Sequence, residues 1–308
     1  MKRILISLFV TFSTQLAATP LQIALTFDDL PYIWETPPSG YSNQKLIQDM
    51  ISVLEKHNVL GVFAFVNGGK VKGPTDKKIL DLWVQHGHLI GNHTWGHTDL
   101  NTSTPTEYIA EIDQNHDFLV AYGRSFYPYF RYPFLHEGNT HERRAQVRNH
   151  LMKADYRIAQ VTIDHNDWEW YLPFSRCYSR HAEAKIKTLR EMYDSEAMEN
   201  LKAAQMLSQF LFKRSIKHIA LMHPNVMTVE QLDTTLTNWT KAGAEFITLQ
   251  DAIKDPAYEV DPNIVSESPN LFTDQIRHMR GLKNPPEVLK IFRRTEEIEK
   301  SLQKICLD

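Results

Sequence analysis

The stretch Leu89-Ile90-Gly91-Asn92-His93-Thr94-Trp95-Gly96-His97 runs from an apolar, strand-like segment into two histidines four residues apart. Two imidazoles at this spacing, on one turn of a helix or in a tight loop, can face a single metal ion. Asp28 and Asp29 end an equally apolar run near the start of the chain. A carboxylate from this pair would complete a facial site of two histidines and one aspartate. The stretch therefore predicts a strand that delivers metal ligands at its carboxyl end.

Similar apolar runs recur along the chain and alternate with stretches of helical spacing. The runs predict strands at residues 21–28, 60–66, 88–92, 127–131, 156–164, 217–223 and 245–249. The intervening patterns predict helices at residues 43–57, 76–86, 104–122, 142–153 and 228–242. Seven strands separated by helices indicate parallel βαβ units, and the simplest closed arrangement is a (β/α) barrel, with an open doubly wound sheet as the alternative. No glycine-rich nucleotide-binding loop follows any of the predicted strands.

The composition of the chain is that of an ordinary globular protein. It has 308 residues, of which 42% are hydrophobic and 23% are charged, and its net charge is -3. Because the basic residues are scattered and balanced by acids, nothing favours binding to nucleic acid or to an anionic membrane. A neutral or small molecule is the expected partner.

The first residues have the three-part form of a secretory signal peptide. Lys2 and Arg3 precede an apolar run at residues 4–12, and Ala17 and Ala18 provide a small-residue cleavage site. The apolar run is too short to span a bilayer well. We expect residues 1–18 to be removed on export to a periplasm or to the exterior, with no stable membrane insertion afterwards.

Residues 19–255 are predicted to form one domain, which carries a helical insertion and is followed by an extension. Between the fifth and sixth strands the alternation is interrupted by a helical insertion at about residues 170–213, with helical segments at 183–190 and 197–212. Residues 256–308 form a C-terminal extension with a helix at 286–304, either packed on the domain or used in an oligomer contact; the oligomeric state stays open. In an oxidising compartment Cys177 and Cys306 could pair, or they could remain two inert thiols.

The carboxyl ends of the strands in a parallel barrel form the active site. Five of the seven predicted strands end in residues able to do acid, base or metal chemistry, namely Asp28, Asp29, His93, His97, Arg131, Asp164, Asp167 and His223. Each alone has an ordinary structural explanation, such as a helix cap or a salt bridge. Their coincidence at strand ends favours one shared site.

Five segments, in this order, resemble the five motifs of the polysaccharide deacetylases, also called NodB-homology or family 4 carbohydrate esterase proteins. They are Thr26-Phe27-Asp28-Asp29, His93-Thr94-Trp95-Gly96-His97, Arg131-Tyr132-Pro133-Phe134, Asp164-His165-Asn166-Asp167-Trp168 and Leu221-Met222-His223. The resemblance covers roughly residues 21–250. It implies a distorted (β/α) barrel that removes acetyl groups from amino sugars, or from xylan, with a divalent metal.

The resemblance also implies a metal site and a substrate pocket. Asp29, His93 and His97 would hold the metal, which is zinc in most of the family and cobalt or nickel in some members. The backbone N–H of Phe134, where the family usually has tyrosine, would help to bind the oxyanion. Trp168 would form an apolar wall for the acetyl methyl group.

The remaining motif residues are implied to move protons. Asp28 would be the general base, and Arg131 would orient it. His223 would be the general acid, paired with Asp164, while Asp167 would hold the arginine.

The sequence thus predicts a secreted, metal-dependent deacetylase of N-acetylated glycans such as peptidoglycan or chitin fragments. The alternatives are a glycan-binding protein without turnover, an O-acetyl-xylan esterase and a cyclic-amide hydrolase of the same fold. Pro224 after the acid histidine and the insertion beside the predicted groove depart from the simplest family pattern. Six aromatic residues near the site suit either sugar stacking or the core: Tyr32, Trp34, Trp95, Trp168, Trp170 and Tyr171.

Overall fold

The computed structural model describes residues 20–268 and 271–307. The predicted signal peptide, residues 1–18, lies outside the described residues. Within the described part of the chain, no helix is long and apolar enough to cross a membrane.

Seven parallel strands form one curved sheet in the described part of the chain. They are β1 (Leu21–Leu30), β2 (Phe63–Val66), β3 (Leu89–Asn92), β4 (Phe126–Phe130), β5 (Arg157–Ile158), β6 (His218–Met222) and β7 (Ala244–Ile247). Their order is β5-β4-β3-β2-β1-β6, and β7 also pairs with β1. An isolated parallel bridge between Ile163 and Ala220 joins the segment after β5 to β6, so the ends of the sheet meet. The predicted distorted (β/α) barrel is confirmed, and the open doubly wound sheet is not.

The fifth strand is much shorter than the predicted run at residues 156–164. After β5 the chain leaves β4 and crosses to β6, where Thr162 N donates to Ile219 O and Leu221 N donates to Ile163 O. The apolar run therefore serves two neighbours in turn instead of pairing with one along its length.

Helices connect the strands and cover the sheet. They are α1 (Asn43–Lys56), α2 (Pro74–Gln85), α3 (Pro105–Leu119), α4 (His141–Lys153), α5 (Tyr171–Ser179), α6 (Glu183–Phe212), α7 (Val226–Lys241), α8 (Leu249–Ala252), α9 (Phe272–Met279) and α10 (Pro286–Leu302). The start of α3 shows why the sequence signals worked. Thr104 and Glu107 form a reciprocal capping box there, and Pro105 occupies the first turn.

Within the insertion, α5 is followed by one long helix, α6, where the sequence predicted two separate segments. Its intermediate stretch is polar, but Leu189, Tyr193 and Ala197, spaced by four residues, are all buried. The buried face therefore runs through the region that looked like a break. Tyr193 contributes its ring to the core and hydrogen-bonds through its hydroxyl to His165 and Thr228.

The C-terminal extension packs on the insertion. Phe272 and Ile276 of α9 and Val288 of α10 share an apolar cluster with Leu207 and Leu211 of α6. This burial anchors the extension to the domain, as expected of a packed extension.

A disulfide between Cys177 and Cys306 reinforces this packing. It joins α5 to the end of the chain, with a Cα–Cα distance of 5.2 Å. The question left open by the sequence is thereby answered in favour of pairing.

Candidate active site

A cavity of about 360 Å³ lies at the carboxyl ends of the strands. Eight of the ten predicted site residues line it: Asp28, Asp29, His93, His97, Phe134, Asp164, Trp168 and His223. The other two, Arg131 and Asp167, are buried and hydrogen-bonded to the lining residues Asp28 and His223. The structure therefore brings the whole predicted set into one place.

A bulge in β1 explains how two consecutive aspartates reach the same cavity. Phe27 pairs with Ala64 of β2 and Leu30 pairs with Val66, so three steps along β1 correspond to two along β2. Consecutive side chains of a regular strand point to opposite faces, and an extra residue with a positive φ re-aims them. Asp29 has a φ of 70°. Both carboxylates consequently face the cavity.

Asp29, His93 and His97 form a group suited to a metal ion. One ligand atom from each lies within 4.8 Å of the other two. His93 Nδ1 donates to the backbone oxygen of Arg131 at 2.8 Å. This bond leaves Nε2 as the nitrogen free to ligate.

The charge states of the three residues also suit a metal. Burial lowers the pKa of His93 well below its ordinary value and lowers that of His97, which favours the neutral, ligating form of both rings. Burial alone would raise the pKa of Asp29, but Lys70 and the neighbouring histidines outweigh it and hold this pKa far below the usual range. Two neutral imidazoles and one carboxylate fit zinc, cobalt or nickel.

Asp28 interacts with Arg131, as the sequence predicted. Arg131 Nη1 donates to Asp28 Oδ1 at 3.1 Å, Nη2 donates to Thr26 Oγ1, and Nε donates to the backbone oxygen of Ala159. The guanidinium also lies 4.6 Å from the centre of the Phe65 ring. Burial raises the pKa of Asp28 to about 6, and the arginine limits this rise.

His223 pairs with Asp167, and the predicted pair of His223 with Asp164 is wrong. His223 Nδ1 donates to Asp167 Oδ1 at 2.7 Å, and the backbone N–H of His223 donates to Oδ2, also at 2.7 Å. Thr228 Oγ1 donates to Asp167 Oδ2 at 2.6 Å. Burial would lower the pKa of His223, but the charge and hydrogen bond of Asp167 raise it to about 9. His223 is therefore cationic at neutral pH.

The predicted contact of Asp167 with Arg131 is also wrong, because Asp167 bonds to His223 and Thr228 instead. Asn166 has a left-handed backbone with a φ of 51°, and this turns Asp167 back under His223. Asp164 remains at the cavity wall, where it accepts a hydrogen bond from the backbone of Asn166. Burial raises the pKa of Asp164 to about 6.

The two residues predicted to contact the acetyl group are accessible at the mouth of the cavity. Phe134 is 49% exposed and has a φ of 58°, and its ring centre lies 4.5 Å from that of His97. Trp168 is 44% exposed. Of the other candidate stacking aromatics, only Trp34 is similarly exposed, and it stacks on the buried Tyr171 with ring centres 5.1 Å apart.

Two polar residues of the site were missed by the sequence reasoning. Lys70 Nζ donates to Asp29 Oδ1 at 2.8 Å, and Thr228 supports Asp167. Lys70 lies in the segment just after a predicted strand, as His97, Phe134 and Trp168 do, so its position was an available signal. Thr228 lies within a helical pattern and carried none.

Comparisons with known proteins relate much of this chain to deacetylases. Residues 17–159 match the family model described as polysaccharide deacetylase. The peptidoglycan-N-acetylglucosamine deacetylase PgdA of Listeria monocytogenes is 24% identical over 236 residues, which cover 76% of this chain and 39% of that protein. The peptidoglycan-N-acetylmuramic acid deacetylase PdaA of Bacillus subtilis is 34% identical over 132 residues, covering 42% and 45%. The chain thus spans less than half the length of these two relatives.

The fold also matches a solved structure. The chitin deacetylase of Colletotrichum lindemuthianum superposes with a TM-score of 0.52 and 20% sequence identity, covering 80% of this chain and 94% of that one. This likeness supports the distorted barrel.

Proposed function

We propose that this chain, which matches the polysaccharide deacetylase family model over residues 17–159, is a secreted, metal-dependent hydrolase that removes acetyl groups from N-acetylated glycans. Peptidoglycan and chitin oligosaccharides are the proposed substrates, since related proteins carry those names. One observation supports the proposal most directly. A group with metal-ligand spacing, a carboxylate with a pKa of about 6 and a cationic histidine share one cavity.

Asp29, His93 and His97 are the proposed ligands of zinc, or of cobalt or nickel. Such an ion supplies Lewis-acid activation of the attacking water and of the acetyl carbonyl. The chain itself holds the three ligands in place. His93 is fixed by its bond to the Arg131 carbonyl, and Asp29 is fixed by the bulge of β1.

Asp28 is the proposed general base, taking a proton from the attacking water. A base is most effective when its pKa lies near the working pH, and burial brings the pKa of Asp28 to about 6. Arg131 orients the carboxylate through its guanidinium. Its own bonds to Thr26 and Ala159 keep it from turning away.

His223 is the proposed general acid, giving a proton to the nitrogen of the departing amino sugar. An amine leaves poorly as an anion, so this proton is needed as the carbon–nitrogen bond breaks. Asp167 keeps His223 protonated and fixes its ring through Nδ1, so Nε2 is the atom that delivers the proton.

Phe134 and Trp168 are proposed to receive the acetyl group. The backbone N–H of Phe134 would stabilise the charge that develops on the carbonyl oxygen. Trp168 would shield the methyl group from water. Asp164 is proposed to support the loop that carries Asp167, since it caps the turn at Asn166.

We also propose that the protein acts outside the cytoplasm. The form of residues 1–18 supports export, and disulfides such as Cys177–Cys306 persist mainly in oxidising compartments. Amino-terminal sequencing of protein recovered from the periplasm or the medium would find a start near Thr19 if the proposal is correct.

Acetate release from a panel of substrates tests the activity. The panel contains N-acetylglucosamine oligomers, peptidoglycan fragments and acetyl-xylan, each with and without a chelator. We expect release from an N-acetylated member, loss of release with the chelator, and recovery with zinc or cobalt. Release only from acetyl-xylan would favour an esterase, and no release from metal-loaded protein would contradict the proposal.

The variant Asp28→Asn separates an enzyme from a glycan-binding protein. It removes the proposed base and keeps the shape of the side chain. Glycan binding, measured by calorimetry, should persist while acetate release falls by about 10²-fold or more. Unchanged release would contradict the role of Asp28.

A further inference from the structure

Lys70 lies against the proposed metal ligands, although none of the five motifs includes it. Its ammonium donates to Asp29 Oδ1 at 2.8 Å, and the same oxygen lies 3.5 Å from His97 Nε2. The side chain of Lys70 is 23% exposed and that of Asp29 is 6% exposed, so water screens this ion pair only partly. Among the described residues that line the cavity, Lys70 is the one lysine or arginine.

The turn that carries Lys70 is built to hold it there. Gly68–Lys70 forms a short 3-10 turn directly after β2. Gly69 N donates to the backbone oxygen of Trp95, which lies between the two histidine ligands. Tyr32, just beyond the aspartates, donates its hydroxyl to the backbone oxygen of Lys70 at 2.9 Å. Lys70 is therefore tied to both ligand-bearing loops.

The two glycines make this close approach possible. A Cβ on Gly68 would lie 2.6 Å from the Trp95 ring, and a Cβ on Gly69 would lie 2.7 Å from the Trp95 backbone oxygen. Any larger residue at either position would push the turn away from the histidine loop. The chain thus uses two side-chain-free residues to bring a cation next to Asp29.

We propose that Lys70 competes with the metal ion for Asp29 and thereby sets the metal affinity of the site. The inference rests on the proposed metal site. A divalent ion at Asp29, His93 and His97 would use the carboxylate that Lys70 holds, and the two positive charges would repel each other at close range in a partly buried setting. Binding therefore includes the cost of displacing the ammonium from Asp29 Oδ1, and a neutral residue at position 70 removes that cost.

The test is the affinity of the mature protein for Zn²⁺ and Co²⁺, measured by competition with a chromophoric chelator. Two neutral variants are compared with wild type: Lys70→Met removes charge and hydrogen bond, while Lys70→Gln keeps a hydrogen-bond donor. Lys70→Arg keeps the charge. Lys72→Met is the matched control, because Lys72 lies two residues further on, is 61% exposed, and pairs with exposed Glu35. Thermal unfolding in chelator confirms that each variant is folded.

We expect both neutral variants to bind each metal about 10-fold more tightly than wild type. Lys70→Arg and Lys72→Met should stay within about 2-fold of it. Wild-type binding with equal or weaker binding by the folded neutral variants would overturn the role of Lys70 and leave the metal site standing. If neither wild type nor any variant bound metal, the metal site and the role of Lys70 would both be overturned. If only the neutral variants bound metal, the competition would be supported, with Lys70 strong enough to prevent binding in wild type.

Discussion

His93 and His223 lie in the same cavity and are both buried, yet the His93 ring is neutral and the His223 ring is protonated. Burial lowers the pKa of each. Nδ1 of His93 donates to the backbone carbonyl of Arg131, and the pKa of His93 stays well below its ordinary value. Nδ1 of His223 donates to the carboxylate of Asp167, and the pKa of His223 rises to about 9.

The difference shows that the group behind each ring sets its role. A carbonyl dipole does not offset the desolvation of an imidazolium, whereas a full negative charge does. The β1–β3 side of the cavity therefore offers neutral histidines for a metal. The β5–β6 side holds a protonated histidine, as the proposed general acid requires.

Replacing each histidine with alanine should have the largest effects and should separate the two sides. His93→Ala should weaken Zn²⁺ binding by more than about 100-fold and abolish turnover, since it removes a proposed ligand. His223→Ala should lower kcat by about 10²- to 10⁴-fold with metal affinity nearly unchanged. Chelator competition and acetate release measure the two effects. Loss of metal from His223→Ala would contradict the division of roles.

Removing the charge behind His223 should move the alkaline limb of the pH profile. In wild type, His223 remains protonated up to its pKa of about 9, so kcat/KM should fall only above that pH. In Asp167→Asn burial is no longer opposed by a carboxylate, so the limb should shift down by about 2 units. At pH 8 the protonated fraction of His223, and with it kcat/KM, should drop by roughly 10-fold.

Asp164→Asn is the matched control for this experiment. Asp164 is a partly buried carboxylate three residues away that makes no hydrogen bond to His223 in the structure, so the alkaline limb of Asp164→Asn should stay near that of wild type. A larger shift from Asp164→Asn than from Asp167→Asn would restore the pairing first predicted from the sequence.

Removing the disulfide should have the smallest effect on chemistry and should act on the side of His223. The bond anchors α5, which directly follows the turn carrying Asp167, and it spans 129 residues. The variant Cys177→Ser/Cys306→Ser should lose about 2–4 kcal/mol of unfolding free energy, measured with denaturant. Zn²⁺ affinity should stay unchanged, because the ligands lie on β1 and after β3. The expectation would be contradicted if the variant, the oxidised wild type and the reduced wild type all had the same free energy of unfolding.

The architecture could be predicted because its signals are local. A strand that is buried on both faces of a parallel sheet is an apolar run, as in β1, β2, β3 and β6. The other three strands are less buried, but their runs were also recognisable. The cap residue Thr104 followed by Pro105 marked a helix start in the same way. Chemical groups at the strand ends could then be assigned to one edge, because parallel strands all end there.

The helix of the insertion shows where local signals fail. The polar stretch in the middle of α6 looked like a break, but Tyr193 and Glu196 within it are buried against neighbouring elements. Whether a polar residue faces solvent or a partner depends on what packs against it. The sequence near the residue does not contain that information.

Sequence by itself determined the seven strands, their shared direction and the set of residues at their ends, since these follow from hydrophobic pattern and motif order. Only the tertiary structure decided which carboxylate supports His223, that Lys70 reaches Asp29, and that Cys177 meets Cys306. Asp164 and Asp167 are three residues apart in one loop, and a single left-handed residue, Asn166, determines which of them turns under the histidine. Such choices depend on backbone angles and on contacts between distant segments, and these arise only when the chain is folded.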